Sequence, residues 1–312
     1  MAPDFENSVL VYDVGGSHVS AAICFNGGYR LGPVASAPHP VEHTSDAFVN
    51  LIYSLGAEVS ANVGSMGGAE LAVPGPFDFA AGISRMKHKL PYLYGVDLRG
   101  KLAERFGWQP GQVRFLLDSA AFLLGELGAG AAGGVERAVG ITLGTGIGSA
   151  FAVEGRVVTE GRGVPPGGEI WNLPYEHGIV EDYISTRAIQ QNYKMRTGAL
   201  PDVARIALDA ANDEEAAAVF TEFGCNLGRA LHMNLSEFGP DLVVIGGGIS
   251  RSSHLFLTAA IKELKDLNMQ LCVSTLLDHG ALAGAGVAWF NGSDGAHAPA
   301  PNPARVIHAD AI

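Results

Sequence analysis

Two glycine-rich turns and one aspartate are the parts of this 312-residue sequence best suited to do chemistry. Asp13-Val14-Gly15-Gly16-Ser17 follows an apolar run. Its glycines let backbone N–H groups approach phosphate oxygens, Ser17 adds a hydroxyl donor, and the Asp13 carboxylate can hold Mg2+ through water. The same residues also make an ordinary hairpin turn. Gly144-Thr145-Gly146-Ile147-Gly148 repeats the layout, with Thr145 supplying the hydroxyl. A Gly-x-Gly-x-Gly run can open a dinucleotide-binding helix, but residues 149–153 are strand-like, so this turn is hairpin-shaped. Gly246-Gly247-Gly248, entered from the apolar 241–245, suits close approach of a ribose or base to the backbone, or else a tight strand-to-helix turn. Asp118 stands between an apolar run and a helical segment, where it reads first as a helix cap. A carboxylate so placed could equally accept a proton.

These residues need elements to carry them. Residues 8–12 read as a strand, then the first turn, then a second β-rich run to Phe25 and an Asn26-Gly27 hairpin signal. Residues 138–143 and 149–153 flank the second turn in the same way, ending at Glu154-Gly155. Two such hairpins about 130 residues apart predict an internally duplicated fold. Between them, 48–56 and 97–106 have helical periodicity, with Asp97 near the start of the second, while 68–73 reads as a strand closed by Pro74-Gly75-Pro76. Residues 112–117 form another strand candidate that delivers Asp118 ahead of a helix at 120–128. A loop rich in Gly and Pro fills 159–178, and loops of this length are usually functional. Helical patterns dominate 181–235, and an Ala/Gly-rich helix is expected at 281–290. From Asn291 onward the composition turns to Gly, Ser, Ala and Pro, which predicts a flexible tail over 291–312.

Composition narrows the function. There are 20 Lys+Arg against 32 Asp+Glu, a net charge of −12, so no general basic face is available for nucleic acid. The three cysteines, Cys24, Cys225 and Cys272, are odd in number and widely spaced, which suits a reducing compartment. The acidic first residues lack the pattern of a secretory leader, and the longest apolar stretch is broken by Asp118 and Glu126. The expectation is a cytoplasmic protein that neither spans a membrane nor binds nucleic acid.

The motifs, taken in order, resemble the ROK family of sugar kinases. They are Asp13-Val14-Gly15-Gly16-Ser17, Val73-Pro74-Gly75-Pro76, Leu117-Asp118-Ser119-Ala120-Ala121, Leu143-Gly144-Thr145-Gly146-Ile147-Gly148, Gly168-Glu169 and Ile245-Gly246-Gly247-Gly248. The likeness covers about residues 8–290 and implies an α/β, two-domain actin-like ATPase (ribonuclease H-like) fold with duplicated sheet-and-helix lobes. The lobes are expected at 1–120 and 121–290, with the C-terminal helix packing back on the first. The implied reaction is phosphorylation of a hexose or N-acetylhexosamine by ATP with Mg2+. In it Asp118 is the general base. Glu169 and Glu181 hold sugar hydroxyls, and Pro74, Gly75 and His177 belong to the substrate side. Gly15, Gly16, Ser17, Gly144, Thr145, Gly146, Gly247 and Gly248 bind the nucleotide, and Asp13 serves the metal. Trp171 and Tyr175 could stack on a pyranose. A homodimer is compatible with the apolar, Ala/Gly-rich composition.

Departures from the family are informative. Family members insert a zinc-binding Cys cluster between the two glutamates; here 170–180 contains no cysteine, and His177 is the sole ligand type, so no zinc is expected. Trp171-Asn172 replace a Gly-His pair, Leu117 replaces an Asn before the base, and Lys89-Leu90-Pro91 replaces Asn-Leu-Pro. The acceptor therefore cannot be copied from glucokinase. The family also holds transcriptional repressors, but the first phosphate turn begins at Asp13, so no helix-turn-helix is expected before it. A catalytically silent sugar- or nucleotide-binding regulator is the other alternative.

Overall fold

The computed structural model describes residues 7–63 and 66–292. Alternating burial builds the first sheet. In β1 (Ser8–Val14), Leu10, Tyr12 and Val14 face one layer while Val9 and Val11 face the other. β1 pairs antiparallel with β2 (His18–Phe25), to which the short β3 (Arg30–Leu31) and β4 (Ala35–Pro38) attach. Helix α1 (Ser45–Ser60) is capped by Thr44, whose hydroxyl accepts from the Ala47 N–H at 3.2 Å. It buries Phe48, Val49, Ile52 and Leu55 against the sheet. A Cβ on Gly56 would collide with the Tyr12 hydroxyl, so this glycine is what lets α1 lie close enough for Tyr12 to donate to the Ile52 carbonyl at 3.1 Å.

β5 (Ala69–Val73) adds parallel to β1. A small hairpin, β6 (Phe77–Asp78) and β7 (Ile83–Ser84), leads to α2 (Leu98–Phe106), which Asp97 caps and Gly107 ends in a left-handed conformation. β8 (Val113–Leu117) then completes the order β3-β2-β1-β5-β8 and runs directly into α3 (Asp118–Ala129).

The second half repeats the plan. β9 (Arg137–Leu143) and β10 (Ile147–Val153) form the antiparallel pair, and β11 (Arg156–Val158) lies at the edge. The long loop folds into a second small hairpin, β12 (Pro174–Tyr175) and β13 (Gly178–Ile179), followed by α4 (Val180–Tyr183), α5 (Thr186–Thr197), α6 (Val203–Asp209) and α7 (Glu214–Leu235). β14 (Leu242–Gly246) joins parallel to β9, α8 (Ser253–Glu263) crosses over, and β15 (Gln270–Val273) joins parallel to β14. The order β11-β10-β9-β14-β15 reproduces that of the first sheet, so the duplication expected from the two hairpins holds. The residue pattern marks neither α8 nor β15.

Helix α3 and the final helix α9 (Gly280–Phe290) lie together between the sheets. Phe122, Leu123 and Leu127 of α3 pack on Ala138, Ala150 and Ala152 of the second sheet. Leu282, Ala285, Val287 and Ala288 of α9 pack on Val9, Val11, Ala22 and Cys24 of the first, as expected for the C-terminal helix. The two helices meet backbone to backbone. A Cβ on Gly284 would collide with the Ala121 carbonyl, and one on Gly125 with the Gly280 carbonyl. Of the expected tail, residues 293–312 lie outside the described residues. Among the described residues no helix is long and apolar enough to cross a membrane.

Candidate active site

Loops at the carboxyl ends of parallel strands are where open α/β sheets bind ligands, and the singled-out residues cluster there. Asp13 lies at the end of β1, Pro74 and Gly75 follow β5, Asp118 follows β8, Gly144 follows β9, and Gly247 follows β14. The duplicated plan thus brings matching loops from both sheets into one region.

The two glycine turns meet. The Thr145 hydroxyl is 3.6 Å from where a Cβ on Gly16 would stand. In the first turn, the Gly15 N–H donates to the His18 carbonyl at 3.0 Å, and the Ser17 hydroxyl pairs with His18 Nδ1 at 3.1 Å. In the second turn, the Gly144 N–H donates to the Gly146 carbonyl at 2.9 Å, and Thr186 donates to the Gly144 carbonyl through both its N–H and its hydroxyl. A Cβ on Gly144 or Gly248 would meet nothing within 4 Å, so both face open space, whereas Gly247 (φ 84°) packs on the backbone of Leu143.

Asp118 is the first residue of α3 and not its cap; Leu117 occupies the cap position. The Asp118 Oδ1 accepts the Ser119 N–H at 2.8 Å. Burial raises its carboxyl above the ordinary value, against the pull of the Lys89 charge and of backbone N–H donors. Ser119 Cβ is 3.3 Å from where a Cβ on Gly148 would stand, which sets the start of α3 beside the second turn. Glu169 is close by: its Oε1 is 3.8 Å from the corresponding point on Gly75, and its carboxyl senses both Asp118 and Lys89. Burial raises Glu169, while a hydrogen bond from the Trp171 side chain opposes the rise. Trp171 therefore accompanies Glu169.

Glu181, the second residue of α4, lies instead against the second turn, where a Cβ on Gly146 would collide with its carboxylate. His177 is not brought in by any hydrogen bond or ion pair to these carboxylates. The β12–β13 turn, with Glu176 at φ 50°, leaves it exposed, its N–H donating to the Tyr183 hydroxyl at 3.3 Å. Tyr175, expected as a stacking platform, is a core residue whose hydroxyl donates to Asn226 at 3.0 Å. Asn172 is exposed.

The sequence does not mark Asp278, which precedes α9, pairs with Arg251, and whose charge reaches Asp13. Burial pushes Asp13 up to about 7, and the carboxylates of Asp118 and Asp278 push the same way. A buried carboxylate that feels the charge of two others suits a hard divalent cation, and Mg2+ needs only one or two carboxylates beside nucleotide phosphates. Among the described residues no group of three or more Asp, Glu, His or Cys could hold a metal by itself. The glycine turns and these acids therefore fit a Mg-nucleotide better than an all-protein metal cage. A separate surface cavity of about 460 Å3, lined by Arg137, Val158, Glu160 and Phe238, includes none of the candidate site residues.

The sign of the Asp13 shift makes a prediction. A raised folded-state value favours the protonated form, so its stabilisation is complete below the unfolded carboxylate range and is lost as pH rises through about 7. With EDTA and without nucleotide, the melting temperature should fall between about pH 5 and about pH 8, and Asp13→Asn should flatten that slope. A slope unchanged in the variant removes Asp13 as its cause.

A sequence model of the ROK family matches residues 9–291. A glucokinase of Thermotoga maritima is 30% identical over 227 residues, which is 65% of this chain and 70% of that protein. An N-acetyl-D-glucosamine kinase of Shigella flexneri is 27% identical over 260 residues, 77% of this chain and 83% of that protein. Among solved structures, the ROK hexokinase of Thermus thermophilus superposes with a TM-score of 0.73 at 26% identity, covering 89% of this chain and 96% of that one.

Proposed function

The chain belongs to the ROK family, and from that premise we propose that it is an ATP-dependent sugar kinase whose base is Asp118 and whose acceptor is a hexose or N-acetylhexosamine. The observation that carries this reading is the meeting of two phosphate turns, Gly16 against Thr145, beside the end of the helix that begins at Asp118. The glucokinase and the N-acetyl-D-glucosamine kinase among its relatives support the acceptor class.

The division of labour follows from position. The turns at Gly15, Gly16 and Ser17 and at Gly144, Thr145 and Gly146 hold the phosphates, and Gly247 and Gly248 lie against adenosine. Glu169 and Glu181 accept hydrogen bonds from sugar hydroxyls, with Pro74 and Gly75 as the wall beside Glu169; charged acceptors suit a ligand rich in donors. Asp118 takes the proton of the attacking hydroxyl as that oxygen bonds to the γ-phosphorus and ADP leaves. Asp13 would hold Mg2+, which would supply charge neutralisation for the nucleotide phosphates. The two sheets are the cores of lobes at 1–120 and 121–290, and closure between them excludes water.

The test is ADP release with Mg-ATP across hexoses, N-acetylhexosamines and fructose. Sugar-dependent turnover is expected with at least one of them. Saturable nucleotide binding without turnover on any sugar would replace the kinase with a silent regulator. Glu169→Gln keeps the shape of the side chain but removes its charge. It should raise the sugar KM by about ten- to hundredfold, the worth of a charge-assisted hydrogen bond, with sugar-independent ATP hydrolysis unchanged. An unaltered sugar KM removes Glu169 from the acceptor site.

A further inference from the structure

The first phosphate turn is gripped by a residue that no motif marks. His39 directly follows β4, the edge strand paired with β2. Its backbone N–H donates to the Ser17 carbonyl at 3.2 Å, and its ring Nε2 lies 2.8 Å from the Gly15 carbonyl. A carbonyl can only accept, so Nε2 carries a proton, and in the neutral ring Nδ1 is left as an acceptor. The Tyr92 hydroxyl stands 3.4 Å from that Nδ1 and is the donor it needs. The rings are also braced sideways: His39 stacks on Phe48 at 6.1 Å between centroids, and His43 stacks on Tyr92 at 5.4 Å.

The effect on the turn is specific. The Gly15 and Ser17 carbonyls are taken by His39, and the Gly15 N–H is taken by His18. Among the described residues, the Gly16 and Ser17 N–H groups donate to no protein acceptor. Tyr92, at the far end of the chain of bonds, sits in the single turn Pro91–Leu93 and is three residues past Lys89. Lys89 is the cation that opposes Asp118 and Glu169.

We propose that His39 is a positioning residue for the nucleotide: the Tyr92–His39–Gly15 chain of hydrogen bonds sets the first phosphate turn and ties it to the acceptor-side loop. The proposal rests on the kinase reading for the identity of the ligand. It assigns a role to Tyr92, on the acceptor side, in binding of nucleotide on the other.

The test is the dissociation constant of Mg-AMPPNP for the full chain, with melting temperatures alongside, in wild type, His39→Ala, His39→Gln, Tyr92→Phe and the double variant His39→Ala/Tyr92→Phe. His39→Ala should weaken binding by about five- to tenfold, as for loss of one well-formed hydrogen bond. His39→Gln, whose amide N–H can reach the Gly15 carbonyl, should stay within about twofold of wild type, and Tyr92→Phe should lose about two- to threefold. The double variant should be no weaker than His39→Ala alone, because the two bonds act in series. Unchanged affinity in His39→Ala overturns the proposal, as does a His39→Gln variant as weak as His39→Ala, or a double variant whose losses add. If His39→Ala does not fold, Tyr92→Phe, which deletes one oxygen, decides alone: unchanged affinity overturns the proposal. Wild-type protein that binds Mg-AMPPNP yet releases no ADP with any sugar sinks the kinase reading and leaves this comparison standing.

Discussion

Asp118→Asn is expected to lower sugar-dependent turnover by at least about a hundredfold, the contribution of a positioned general base. Asparagine has the same outline, and its oxygen can still accept the Ser119 N–H that Asp118 accepts at 2.8 Å. What it cannot do is take a proton. Burial holds Asp118 above the ordinary carboxylate range, which makes its carboxylate a stronger base than that of an exposed aspartate. The variant also removes one of the carboxylates that press on Asp13 and Glu169, so the fold should be as stable as wild type or more so. The measurement is ADP release at saturating ATP and sugar, with the melting temperature as control. Turnover within about tenfold of wild type, in a folded variant, would place the base elsewhere.

Gly284→Val should be the most damaging single change for the fold. A side chain at 284 points into the Ala121 carbonyl and the Gly125 nitrogen, which are backbone atoms and cannot rotate away. α3 and α9 would have to part, and each is packed on a different sheet, so the displacement reaches both cores. Overpacking of this kind typically costs about 1–3 kcal/mol, and more where backbone must move. The expected readout is a melting temperature lower by several degrees and a smaller yield of folded protein. Gly111→Ala is the control, since a Cβ there meets nothing within 4 Å; its effect should stay within about 0.5 kcal/mol. A Gly284→Val variant that melts with the control would mean that the helices have slack.

Much of this was legible in the residues because the informative segments are short, local and punctuated. Both glycine hairpins declare themselves by apolar runs on either side of a turn, and both sheets grow from them. α1 and α2 show their buried stripes as spacing, with Asp97 marking the start of α2, and α7 falls within the helical stretch 181–235. What stayed hidden is what depends on meeting in space. β15 is a half-buried edge strand of four residues, too short for alternation to register. His39 sits among prolines after an edge strand, Asp278 in a single turn before α9, and nothing in their neighbours announces Gly15 or Asp13 as partners. Tyr175 misled in the opposite direction: an aromatic residue in a Gly/Pro-rich loop suggests a ligand platform, yet here it is the anchor that ties the loop to α7 through Asn226.

The return of α9 to the first sheet also has a bearing on how the chain comes off the ribosome. Val9, Val11, Ala22 and Cys24 are covered by Leu282, Ala285, Val287 and Ala288, residues made more than 250 positions later. At about 5–20 residues per second, one face of the first sheet waits tens of seconds for its cover. Nascent chains stalled before residue 280 should therefore engage chaperones and resist proteolysis poorly, even though every strand of that sheet has already been synthesised.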